Sequence, residues 1–195
     1  MTDAAISGVR DGVARAAAAL RELQQRWAAQ AAPEPVLHEV AELVEVLSAT
    51  LGEYAVPEGS RHSGGRRDLV GFGQVLVPPL TYLVDEADRA EVTFTGGDLY
   101  LGSGGVLHGG VAPLVFDDVL GRLANRDRDR SVAPVVRTAY LHVNYRAPAP
   151  VGTPLRVTAR VARTEGRKRW LTARLTDGER LLADADGLFV APRTD

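Results

Sequence analysis

The chain predicts an α+β domain, an antiparallel sheet curled around one central helix, preceded by two further helices. Three observations predict it. Apolar residues recur at helical spacing over roughly the first fifty positions and alternate at strand spacing after Pro79. A glycine-rich loop at 102–105 runs into a compact apolar segment ending in Asp117-Asp118. Beyond that segment, Glu165-Gly166 and Asp177-Gly178 are hairpin turns between alternating runs.

Taken in order, residues 8–30 place Val13, Ala16, Ala17, Leu20, Leu23 and Trp27 at spacings of three and four. Pro33 and Pro35 interrupt the pattern. A second amphipathic segment, about 36–51, aligns Val36, Val40, Leu43, Val44 and Leu47, and Gly52 stops it. Two helices on a short proline link read as a helical hairpin whose apolar stripes need cover. Residues 57–79 are rich in Gly, Pro and Arg and read as loop and linker, with a basic cluster from Arg61 to Arg67. The expected organisation is a helical extension over 1–56, a linker over 57–79 and the main domain over 80–195.

Within the main domain, residues 90–95 alternate through Val92 and Phe94, and Gly96-Gly97 turns the chain. A short strand over 98–101 is expected before the glycine loop. The helix follows from about 109 to 123, and a polar loop over 125–130 ends it. Strands are then expected at 135–146, 155–164, 168–176 and 180–191.

Composition narrows the function classes. Hydrophobic content of 45% with 25% charged residues describes an ordinary globular chain able to bury one core. A formal charge of −2 gives no electrostatic case for nucleic acid or an anionic membrane. Cysteine is absent, which removes disulfides, thiolate chemistry and cysteine-ligated zinc. The opening residues lack the charged and apolar regions of a secretory signal, and no apolar run reaches the ~20 residues of a membrane span. The expected location is the cytoplasm.

The glycine loop closes on Leu107-His108, so it lacks the Gly-Lys-Ser/Thr ending of a phosphate loop, and the Gly-x-Gly-x-x-Gly spacing also fails. His38, His62, His108 and His142 are scattered without metal-ligand spacing, so no metal or other cofactor is expected. As a helix start, His108-Gly109-Gly110 offers unpaired N–H groups to negative charge. Asp117 follows directly on Leu114-Val115-Phe116, late in the helix, where the macrodipole disfavours a carboxylate. Such placement marks a candidate for a raised pKa and for chemistry. Nine residues separate His108 from Asp117, about 13–14 Å along a helix, with the two on opposite sides. One chain cannot bring both to one substrate; two antiparallel helices in a two-fold dimer can.

Several motifs occur together at fitting separations. They are His108-Gly109-Gly110-Val111, Asp117, Thr138 opening the next strand, Asn144-Tyr145-Arg146-x-Pro148 and Glu165-Gly166-Arg167-Lys168. Over about 90–192 the chain thereby resembles the PaaI-type hotdog-fold acyl-CoA thioesterases, and among them the group of the human thioesterase-superfamily members. The resemblance implies a hotdog fold, homodimers or dimers of dimers, and metal-free hydrolysis of acyl-CoA or acyl-carrier-protein thioesters in lipid metabolism. It implies that Gly109 N–H, beside Gly110, polarises the thioester carbonyl, and that His108 orients the thioester on its sulfur side. Asp117 of the partner subunit would be general base or nucleophile, with Thr138 holding the attacking water. Arg146, Arg167 and Lys168 would meet the phosphates of coenzyme A. Relatives often carry Asn or Gln just before the His-Gly-Gly step, where this chain offers only Ser103. That departure thins the carbonyl-side contacts. Two rival readings stand beside hydrolysis: a non-catalytic acyl-CoA-binding scaffold, and a hotdog hydratase or dehydratase acting on enoyl thioesters. The helical extension suggests a medium or long acyl chain.

Overall fold

The computed structural model describes residues 3–64, 68–126 and 135–193, with side chains from residue 8 onward. The Arg66-Arg67 part of the basic cluster and positions 127–130 of the expected polar loop lie outside the described residues. The chain divides into two compact units, 1–74 and 75–195.

The first unit holds α1 (Asp3–Ala29) and α2 (Glu34–Gly52), separated at the prolines as expected. The face of α1 that packs takes in only Val13 and Ala17 of the apolar stripe. Arg21, Gln24 and Gln25 complete its covered positions, whereas Leu20, Leu23 and Trp27 stay exposed. The reason is the segment 68–74, which folds back on α1 instead of running free. Arg21 Nη2 donates to the carbonyls of Val70 (3.1 Å) and Gln74 (2.5 Å), and Arg10 pairs with Asp68 at 3.3 Å. Helix α2 buries none of its residues, so its stripe is uncovered among the described residues.

The second unit is a six-stranded antiparallel sheet around one helix, α3 (Val111–Ala124). Its strands are β1 (Thr81–Asp85), β2 (Arg89–Thr95), β3 (Arg137–Tyr145), β4 (Pro154–Glu165), β5 (Lys168–Asp177) and β6 (Arg180–Val190). The spatial order is β1-β2-β4-β5-β6-β3, which puts β3 at one edge, paired with β6 on one side and with no described strand on the other. Two turns form at the glycines the sequence marks, Gly166 (φ 54°) and Gly178 (φ 57°). The alternation of β4 puts Leu155, Val157 and Ala159 inward and Arg156, Thr158 and Arg160 outward, as its sequence requires. Against that inner face, α3 buries Val115, Phe116, Val119, Leu120 and Leu123 almost completely. These join Val92, Leu171 and Phe189 in one core, whose burial is the main stabilising term.

Two local expectations change. Strand β1 is unanticipated: it is five residues long, starts one residue after Pro78-Pro79, and a bulge between Tyr82 and Val84 breaks its alternation. Residues 98–100 form a 3-10 turn rather than a strand, because Tyr100 turns inward and donates its hydroxyl to the Leu76 carbonyl at 3.3 Å. No described helix is long and apolar enough to cross a membrane.

Candidate active site

The glycine loop is built to bring His108 close to the sheet. Gly104 and Gly105 take φ values of 67° and 77°, in the left-handed region that favours glycine. At Gly102 a Cβ would lie 3.0 Å from His108 Cα, so only glycine lets the two backbones approach. Bridges Leu101–Leu107 and Val106–Pro150 close the loop.

The three N–H groups expected to hold charge do not remain equivalent. His108 N–H donates to the Tyr100 carbonyl at 2.8 Å. Gly110 N–H donates to His108 Nδ1 at 3.0 Å, which requires the neutral ring with its proton on Nε2. Gly109 N–H makes no hydrogen bond among the described residues, and its exposed glycine sits at the mouth of a cavity of about 390 Å3. The Tyr145 hydroxyl donates to the Gly109 carbonyl at 2.5 Å and so pins the peptide that follows. The sequence reading gave Tyr145 no role. Its only signal is the Asn-Tyr-Arg-x-Pro run.

Asp117 lies on the exposed side of α3 and accepts a hydrogen bond from Thr138 Oγ1 at 2.8 Å. The structure thus brings these two candidates together. Neither lines the cavity beside Gly109. The carboxyl that burial pushes up is the neighbouring Asp118, with Arg122 pulling against the shift and Asp117 adding to it. Arg122 is held by Asp85 at 2.6 Å and lies 4.0 Å over the Tyr82 ring, whose phenol burial also pushes up. Because folded Asp118 holds its proton more tightly than the unfolded chain does, stability falls as pH rises above the usual aspartate value of ~3.9. Asp118→Asn is therefore expected to raise the Tm by a few degrees at pH 7 and to leave it unchanged near pH 3, as read by thermal melts.

The three basic candidates part company. Arg146 lines the cavity, but its Nε donates to Asp184 Oδ2 at 2.6 Å, and Asn144 Nδ2 holds Asp184 Oδ1 at 2.9 Å. Those bonds hold the Asp184 carboxyl below the usual range, Arg146 contributing most. Arg167 Nη1 donates to the Ala191 carbonyl at 2.6 Å, while Lys168 stands exposed at the turn. On β6, Lys168 pairs with Val190 and Leu175 with Ala183. At roughly 3.3 Å per residue, Lys168 is therefore about 23 Å along β5 from the cavity-lining Leu175. Thr138 pairs with Phe189, at the Lys168 end of the sheet. In one chain, His108, Gly109 and Arg146 gather at the cavity, Gly110 stands behind them with its N–H on His108, and Asp117, Thr138 and Lys168 lie toward the opposite end. No cluster of three potential metal ligands exists among the described residues.

Residues 104–183 match the family profile of the thioesterase superfamily. Bovine (Bos taurus) acyl-coenzyme A thioesterase THEM4 is 29% identical over 128 residues, covering 65% of this chain and 48% of that protein. The chain spans about half the length of this curated relative. Among solved structures, a thioesterase superfamily protein aligns with a TM-score of 0.76 at 26% identity over 91% of this chain and 90% of its own. A Streptococcus mutans protein solved with acetyl-CoA aligns at 0.52 and 18% identity, over 58% of this chain and 88% of its own, and shares the fold.

Proposed function

Proceeding from a hotdog domain of the thioesterase superfamily, we propose that this chain is an acyl-CoA thioesterase whose site is completed by a second copy. One observation carries the reading. Of the three N–H groups at the start of α3, Gly109 alone is left open, at the mouth of an apolar cavity. A carbonyl oxygen set there gains a preorganised donor and the positive end of a helix as it becomes an oxyanion. The relative named as an acyl-CoA thioesterase, and the chain of the same fold that holds acetyl-CoA, support the substrate class.

In the proposed reaction, water oxygen attacks the thioester carbon and gives its proton to Asp117 of the partner subunit. Thr138 Oγ1 keeps that carboxylate in place. The tetrahedral oxyanion rests on Gly109 N–H. Its collapse breaks the C–S bond; the leaving thiolate accepts a hydrogen bond from Nε2–H of the neutral His108 ring and is protonated by the proton that Asp117 gives back through solvent, which restores the carboxylate. Lys168 is the turn cation left for a coenzyme phosphate. No metal or cofactor takes part. The uncovered edge of β3 is a natural place for two copies to join into a dimer, and for dimers to pair further.

The test is release of free thiol from a panel running from acetyl- to palmitoyl-CoA, with enoyl absorbance followed in parallel. Thiol release with no change in enoyl absorbance is expected. Tight acyl-CoA binding without thiol release would favour the scaffold reading, and hydration of enoyl-CoA the hydratase reading.

A further inference from the structure

We propose that the cavity beside Gly109 receives the acyl group, and that Asp184 restricts it to acyl groups without a distal charge. The assignment rests on the thioesterase reading above.

A thioester carbonyl on Gly109 N–H places its carbon at the cavity mouth, so one of its two arms must enter. The walls are Leu107, Ala112, Ala149, Leu175, Leu182 and Ala183. The pantetheine arm carries two amides, which such walls would leave without hydrogen bonds at substantial cost. An aliphatic chain loses nothing there. The arm inside is the acyl chain. At about 390 Å3 the cavity is at the small end of ligand pockets, which run roughly 300–1,000 Å3, and suits a short or medium chain.

Apart from His108, Arg146 is the one titratable side chain on that lining apart from the Tyr145 phenol. Alone, its guanidinium would be a fork for a distal carboxylate. Asp184 already occupies it, taking Nε at 2.6 Å and Nη2 at 3.4 Å, while Asn144 fixes the same carboxylate. An incoming carboxylate would give up its hydration, meet a neutralised pair, and face a like charge on Asp184. Asp184 touches no reacting atom; it acts through Arg146 as a positioning and specificity residue.

The experiment compares hexanoyl-CoA with adipyl-CoA, which matches it in chain length and adds a terminal carboxylate, by thiol release. The wild type should favour hexanoyl-CoA in kcat/KM at least a hundredfold. Asp184→Asn keeps the side-chain shape and frees the Arg146 charge; it should narrow that ratio at least tenfold through a lower KM for adipyl-CoA. Adding Arg146→Gln should restore the wild-type preference, an outcome a merely structural role for Asp184 would not produce. Ala149→Leu, which narrows the cavity from its wall, should depress hexanoyl-CoA turnover more than acetyl-CoA turnover. Equal use of the two substrates by the wild type, or an unchanged ratio in Asp184→Asn, would overturn the assignment alone. Absence of thiol release from every acyl-CoA would overturn the thioesterase reading and this assignment with it.

Discussion

Asp117→Asn is expected to lower kcat for acyl-CoA hydrolysis at least a hundredfold while the Tm stays within a few degrees of the wild type. Asp117 is exposed on α3 and contributes nothing to the core, whose wall on that helix is Val115, Phe116, Val119 and Leu120. Its partner is the Thr138 hydroxyl, and an asparagine carbonyl oxygen can accept the same hydrogen bond. What the amide cannot do is take a proton from water. General-base catalysis typically supplies about 10²–10⁴ in rate, so the loss should appear in kcat with KM little changed. Steady-state thiol release at saturating acyl-CoA, beside a thermal melt, measures both. Turnover at the wild-type rate would remove Asp117 from the chemistry.

The central architecture was legible because its signals are local. The Gly166 and Gly178 turns, the alternation of β4 and the apolar run of α3 each state their own conformation. The elements misread were decided by tertiary contacts that no window of sequence contains. Tyr100 turned inward to reach Leu76 and made a 3-10 turn of an expected strand. On α1, the carbonyls of Val70 and Gln74 drew Arg21 into the packed face, so a charged residue is covered where Leu20 and Leu23 are not. The same limit applies at the site. His108, Gly109 and Asp117 stand out by residue type and spacing, and Thr138 came with the family pattern. The hold of Tyr145 on Gly109 and of Asp184 on Arg146 joins positions 36 and 38 residues apart. Periodicity cannot show such pairs.

A heterodimer of one Asp117→Asn chain and one His108→Ala chain is expected to recover about half the wild-type activity per dimer, although each parent homodimer is nearly inactive. A site made from His108 and Gly109 of one copy and Asp117 of the other is intact once in such a dimer and doubly damaged once. The proposed reaction asks for this sharing. Asp117 and Thr138 do not line the cavity where Gly109 waits, and their end of the sheet is the one that carries Lys168. The open edge of β3 shows how a second copy could supply them. Antiparallel pairing of β3 with its own copy about the middle of Arg137–Tyr145 would bring the Tyr145 end of one strand beside the Thr138 end of the other. Tyr145, which holds Gly109, then neighbours the partner's Thr138, which holds Asp117. Co-expression with two different affinity tags and sequential purification isolates the mixed dimer, and thiol release per dimer gives the result. A mixed dimer no more active than its parents would mean that each chain carries its site alone.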